Sequence, residues 1–158
     1  MKEKEIFKQL NELVGQIISI EELEEKINAL EIDKKEINKI IKEFKKIIKK
    51  KMKILFICHQ NVNRSKTAER IFKDEYETRS AGIFNLTPVT KEELEWADIV
   101  MVMEESLRRE IGLRFPDLYL KKKIISLDIP DNYRYMQQEL VDLLNKKVKR
   151  VMDEYSKN

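Results

Sequence analysis

Cysteine, histidine, glycine and proline are scarce in this chain of 158 residues, and each scarcity closes off a class of protein. One cysteine, Cys58, cannot build a disulfide framework, which fits a reducing, cytoplasmic setting. One histidine, directly after that cysteine, leaves too few ligands for a zinc site of Cys and His. Three glycines and three prolines argue against long disordered linkers. No apolar run approaches the roughly 20 residues that a membrane span requires. The first residues, "MKEKEIFKQLNELV", mix acids with bases and lack a small-residue cleavage site, so no secretory leader is expected. A net charge of +3 is too balanced to imply nucleic acid by itself. What remains is 42% apolar and 39% charged residues, the composition of a soluble, heavily charged globular domain with an appendage.

Two blocks follow from the patterning. Residues 1–51 carry only helical signals and no proline. Ile6, Leu10, Leu13 and Ile17 fall at helical spacing, Ser19 with Glu22 and Asp33 with Glu36 offer capping boxes, and Ile37, Ile40, Ile41, Phe44, Ile47 and Ile48 stripe one face. About three amphipathic helices are expected, packed on one another, on the second block, or on a partner or second copy. Their lysines read as a solvated face rather than a nucleic-acid surface.

From residue 52 to 158 the pattern changes to unbroken apolar strands alternating with helices. "KILFI", "ETRSAG", "DIVMVM" and "KKIISL" read as strands. "KTAERIFKDEY", "TKEELEWA" (capped by Thr90 with Glu93), "EESLRREIG" and "MQQELVDLLNKKVKRVMDEY" read as helices. Gly112 suits a C-terminal cap, and Met136, Leu140, Leu144, Val148, Val151 and Met152 take core spacing. This pattern means a parallel α/β sheet covered on both faces, with ligands at the carboxyl ends of strands. Trp96 and Met101 are expected in the core, Arg79, Arg108 and Arg109 at solvated element ends, and Lys121 to Lys123 in an exposed turn.

Cys58 stands at such a strand end, and the chain must then curl through "HQNVNR" into a helix near Ser65. A loop of this kind turns backbone N–H groups inward above a helix N-terminus and makes an anion cradle. Arg64 adds a planar grip that matches phosphate. The same field favours a thiolate at the bottom of the cradle, a nucleophile with a bound phosphoryl group in front of it. The loop has no glycine, so Asn61 or Asn63 must supply any left-handed residue.

These residues carry a family resemblance. "CHQNVNRSK" resembles the C-x-G-N-x-C-R-S-P loop of the low-molecular-weight protein tyrosine phosphatases, matching at Cys58, Asn61, Arg64 and Ser65. "RSAG", "WADIVMVMEE" and "IPDNYRY" resemble three further segments of that family in the same order, the last being its acid loop with Asp131 and Tyr133 in register. The chain looks closest to a compact, divergent branch sharing "SAG", "PVT", "LEWAD", "RFP" and an acid loop of this form.

The resemblance covers roughly residues 53 to 155 and implies a small doubly wound parallel sheet of about four strands, the phosphotyrosine phosphatase I-like fold, preceded by the all-helical block. It implies a cysteine-dependent phosphatase acting on a phosphorylated protein or small phosphomonoester, through a phosphocysteine, with no metal or other cofactor. Cys58 would attack phosphorus, Arg64 would hold the equatorial oxygens, and Asp131 would act as general acid and base, with Asp128 as second choice. His59, Gln60, Asn61, Val62, Asn63, Arg64 and Ser65 would line the phosphate, Ser65 would donate to the thiolate, Asn61 would brace the loop, and Tyr133 would wall the cleft. The side chain of His59, directly after Cys58, is expected to point away.

Four substitutions depart from the family pattern. Gln60 and Asn63 replace the family's Gly and second Cys, Lys66 replaces its Pro, and Asn132 follows Asp131 where a Pro is usual. Without the second cysteine no protective internal disulfide can form, and oxidised Cys58 would need an outside thiol. The connection between Gly82 and the "DIVMVM" strand is also shorter than in the ordinary enzymes. Two other readings remain at this level: arsenate reduction relying on an external thiol, and a non-catalytic phosphate-binding module whose helices do the work.

Overall fold

The computed structural model describes residues 51–157, together with Lys35, Asn38, Lys39 and Lys42. The helices expected in residues 1–51 lie outside the described residues, apart from those four positions, which are helical. By its internal contacts the chain divides into two compact units, Met1–Lys50 and Lys51–Asn158.

The second unit runs β1 (Lys53–Cys58), α1 (Arg64–Phe72), β2 (Glu77–Gly82), α2 (Lys91–Trp96), β3 (Ile99–Val102), α3 (Glu105–Arg114), α4 (Pro116–Lys121), β4 (Lys123–Ser126) and α5 (Gln138–Ser156). The four strands form one parallel sheet in the order β2-β1-β3-β4. β1 therefore has a strand on each side, and its register brings Cys58 opposite Gly82. Ile54 to Cys58 and Ile99 to Val102 are buried at every position, as strands covered on both faces must be. α1 packs on β1 and β2 and against α5, while α2 packs on β1 and α4, and α3 on α4, β3 and β4. Leu140, Leu144, Val148 and Met152 are the buried stripe of α5. This is the α/β architecture that the alternation of strands and helices predicts.

Five expectations are corrected. Gly112 lies inside α3 rather than capping it; the helix closes beyond it, where Phe115 N donates to Ile111 O at 2.8 Å and Pro116 ends the run. A short helix, α4, follows at once with that proline in its first turn. Met136 is outside α5, in the left-handed region at φ 58° and 37% exposed, because the turn before the helix holds its N–H elsewhere. Trp96 is half-buried rather than core; the Arg79 guanidinium stacks 4.1 Å from its ring and Lys53 approaches from 5.7 Å. Val151 is likewise only half-buried. Lys122 is no idle turn residue. Its ammonium donates to the carbonyls of Glu95 and Ala97, both at 2.7 Å, and so closes the C-terminal end of α2. No described helix is long and apolar enough to cross a membrane.

Candidate active site

The site grows from the carboxyl end of β1. Cys58 is 3% exposed, and the chain turns immediately after it through Asn61, whose φ of 56° is left-handed. Asn61 is thus the residue that replaces a glycine here; Asn63, at φ −106°, is not. Three hydrogen bonds hold the turn. Asn61 N donates to Cys58 Sγ at 3.2 Å, Ser65 Oγ donates to Asn61 Oδ1 at 2.8 Å, and Asn61 Nδ2 reaches Ser80 O at 3.4 Å. Ser65 Oγ also lies 2.9 Å from Cys58 Sγ. A serine hydroxyl has one proton, so it can serve Asn61 or a thiolate but not both at once.

Close approach of the next strand fixes the other side of the turn. The N–H groups of Ile83 and Phe84 both donate to His59 O, at 3.1 and 2.9 Å. A Cβ at Gly82 would stand 2.9 Å from that carbonyl oxygen, so the backbones meet this closely only because Gly82 has none. α1 then starts at Arg64 with no side-chain cap on its first amides, leaving its N-terminal donors facing the turn.

Arg64 is 1% exposed and held at both terminal nitrogens. Nη1 donates to Glu104 Oε2 at 3.0 Å and to Ile129 O at 2.7 Å, and Nη2 lies 3.2 Å from His59 Nδ1. Asp131 Oδ1 is 3.2 Å from Nε but off the N–H direction, so this is an ion pair without an aligned hydrogen bond, and the buried Nε–H has no acceptor among the described residues. Glu104 Oε2 is also 3.2 Å from His59 Nδ1. The His59 side chain therefore turns toward Arg64 instead of away, with its ring stacked 5.5 Å from the exposed Phe84. A protonated Nδ1 would face Glu104, and an unprotonated one accepts from Arg64.

The segment carrying Asp131 is fastened to the same loop. Tyr135 N donates to Asn63 Oδ1 at 3.0 Å, and Met136 N donates to Thr67 Oγ1 at 2.9 Å. Thr67 in turn donates from both N and Oγ1 to Asn63 O. Asp131 itself is open to solvent, its side chain 56% exposed. Asp128 is engaged elsewhere. Its carboxylate accepts from Ser126 Oγ at 2.8 Å and its carbonyl accepts from Lys147, in an exposed turn at φ 51°. Gln60 donates to Phe84 O, Val62 is 60% exposed at the rim, and Tyr133 is half-buried against the core.

The structure thus brings together Cys58, His59, Asn61, Arg64, Ser65 and Asp131, and leaves Asp128 outside. Glu104, Thr67 and the Ile129 carbonyl are parts of the site that sequence reasoning missed. Glu104 sat within a quoted motif, directly after an apolar strand, and that strand end was the signal that could have found it.

A buried cysteine and a buried arginine thus flank one turn at the end of a central parallel strand of an α/β sheet. No family model matches the chain, and a search of curated proteins finds no significant match. Among solved structures it is similar to YwlE arginine phosphatase from Geobacillus stearothermophilus, at 20% identity over 68% of this chain and 97% of that one, TM-score 0.52. It is also similar to the tyrosine phosphatase Wzb from Escherichia coli K30, at 23% identity over 66% and 98%, TM-score 0.55. A low-molecular-weight phosphotyrosine phosphatase from Vibrio cholerae O395 follows at 17% identity over 66% and 97%, TM-score 0.56. The chain has the fold of the low-molecular-weight protein tyrosine phosphatases.

Proposed function

We propose that this protein hydrolyses phosphomonoesters through a phosphocysteine, with a phosphorylated amino-acid side chain, phosphotyrosine first, as substrate. One observation carries the reading: Cys58 Sγ, the uncapped N-terminus of α1, the Arg64 guanidinium and the Asp131 carboxylate converge on one turn. The neighbours' names, tyrosine and arginine phosphatases, agree with this class of substrate.

In the first step the Cys58 thiolate attacks phosphorus in line, the bond to the leaving oxygen breaks, and Asp131 gives that oxygen its proton. Ser65 releases Asn61 and donates to the sulfur. Loop amides and the free Nε–H of Arg64 hold the equatorial oxygens, over which the charge of the transferring group is spread in the transition state. In the second step Asp131 takes a proton from water, the resulting hydroxide attacks phosphorus, and Cys58 departs as the thiolate. Glu104, His59 and Ile129 O keep the guanidinium in place throughout.

Hydrolysis of an aryl phosphate by wild type and Cys58→Ser, with chelator present, tests this. Chelator-resistant turnover is expected in wild type and none in the variant, with inorganic phosphate still bound by both. Equal residual turnover in the two would sink the cysteine mechanism.

A further inference from the structure

Beside the cradle lies a second, open groove of about 270 Å³ lined by Lys66, Glu69, Arg70, Lys73, Thr78 and Tyr135. We propose that it receives acidic side chains of the substrate polypeptide a few residues from the phosphorylated one, so that this protein selects phosphopeptides with an acidic flank. The inference rests on the hydrolase reading and adds the substrate class.

Charge carries the argument first. Three cations and one carboxylate line the groove. Glu69 is already answered by Lys66 Nζ at 3.4 Å and by the hydroxyl of Ser80. Arg70 and Lys73 are exposed and have no ion-pair or hydrogen-bond partner among the described residues. Lys66, Arg70 and Lys73 recur at intervals of four and three along α1 and its cap, hence on one face.

Continuity with the cradle comes next. α1 begins at Arg64 inside the site, and Tyr135, which lines the groove, donates its N–H to Asn63 of the loop. At roughly 1.5 Å of rise per residue, Arg70 and Lys73 lie about 9 and 14 Å along the helix from Arg64. An extended peptide advances roughly 3.3 Å per residue, so an acid about three or four residues from the phosphorylated position reaches them. A discrete carboxylate can choose its cation, whereas a phosphodiester chain crossing the groove would have to pass Glu69. That favours a peptide over a nucleic acid.

The test compares kcat/KM for two phosphotyrosine peptides, one with Glu and one with Gln three and four residues on each side. Wild type and the Arg70→Glu, Lys73→Glu double variant are assayed in parallel, with a plain aryl phosphate as reference. Wild type should prefer the acidic peptide roughly three- to tenfold, the scale of one or two exposed charge pairs, and the preference should shrink with added salt. The double variant should lose it while hydrolysing the aryl phosphate at the wild-type rate. Should reversal of both charges prevent folding, Arg70→Gln, Lys73→Gln carries the same comparison. Aryl phosphate turnover with equal rates on both peptides overturns this inference alone. Inhibition by an RNA oligonucleotide without peptide preference overturns it in favour of nucleic acid. No turnover of any substrate overturns the hydrolase reading, and this one with it.

Discussion

Burying a guanidinium costs several kcal/mol unless its hydrogens and charge are answered, and Arg64 shows how this is done with one direction left free. Glu104, Ile129 O and His59 take the terminal nitrogens, and Asp131 compensates charge without taking the Nε–H. The same geometry separates the two candidate acids. Asp131→Asn is expected to lower kcat/KM by about 10²–10⁴-fold on an alkyl phosphate and much less on a substrate with a good leaving group, whereas Asp128→Asn leaves both near wild type. Equal losses from the two substitutions in steady-state assays would contradict the assignment. Cys58, Asn61, Arg64 and Ser65 could be placed on one strand end, turn and helix start from their spacing, whereas Asp131 was singled out only by the match of its segment to a family loop. Glu104 and Thr67 were not legible in the sequence, since each acts across a long stretch of chain on a partner that only the fold supplies. The direction of His59 was illegible for another reason: the alternation of a strand ends at Cys58, and the left-handed turn resets it.

Among the elements, α2 shows most clearly which local signals are readable. Its capping box is present as the sequence reads it, with Thr90 Oγ1 accepting from Glu93 N at 3.2 Å and the Glu93 carboxylate accepting from Thr90 N at 2.9 Å. The far end depends on Lys122, a contact between distant positions that no local pattern announces. Thr90→Ala and Lys122→Met should each cost about 1 kcal/mol. They act at opposite ends of one short helix, so denaturant titration of the double variant reports whether they add. The strands were legible nearly to the residue, because a continuous apolar run flanked by charge has few other uses. The end of α3 was not: Gly112 is there because the Tyr119 ring lies 3.3 Å from where its Cβ would be, a packing demand that looks like a cap in one dimension.

At the scale of the second unit, one apolar core of described residues runs from Ile54 to Met152. A chain beginning at Lys51 is expected to unfold cooperatively; loss of the cooperative transition in thermal denaturation would refute this. One titration is written into this core. The Tyr76 phenol is pushed above its ordinary value of about 10, by burial first and by Glu75 and Asp153 second. Because the folded state then favours the neutral phenol, its contribution is complete below the unfolded value and is lost as pH rises through the folded one. Stability measured in denaturant should accordingly fall above about pH 10, and Tyr76→Phe should flatten that limb.

The fastening of the acid segment to the cradle has a further consequence, in the time domain. Its two hydrogen bonds join positions 72 and 69 residues apart, Tyr135 to Asn63 and Met136 to Thr67. Closing a loop of that length is among the slower entropic steps a small chain takes, and nothing local to residues 58–67 can stand in for it. Under the mechanism proposed above, a chain that has made β1, the turn and α1 holds Cys58 and Arg64 but not yet the Asp131 segment, so regain of activity on refolding is expected to follow the docking of that segment.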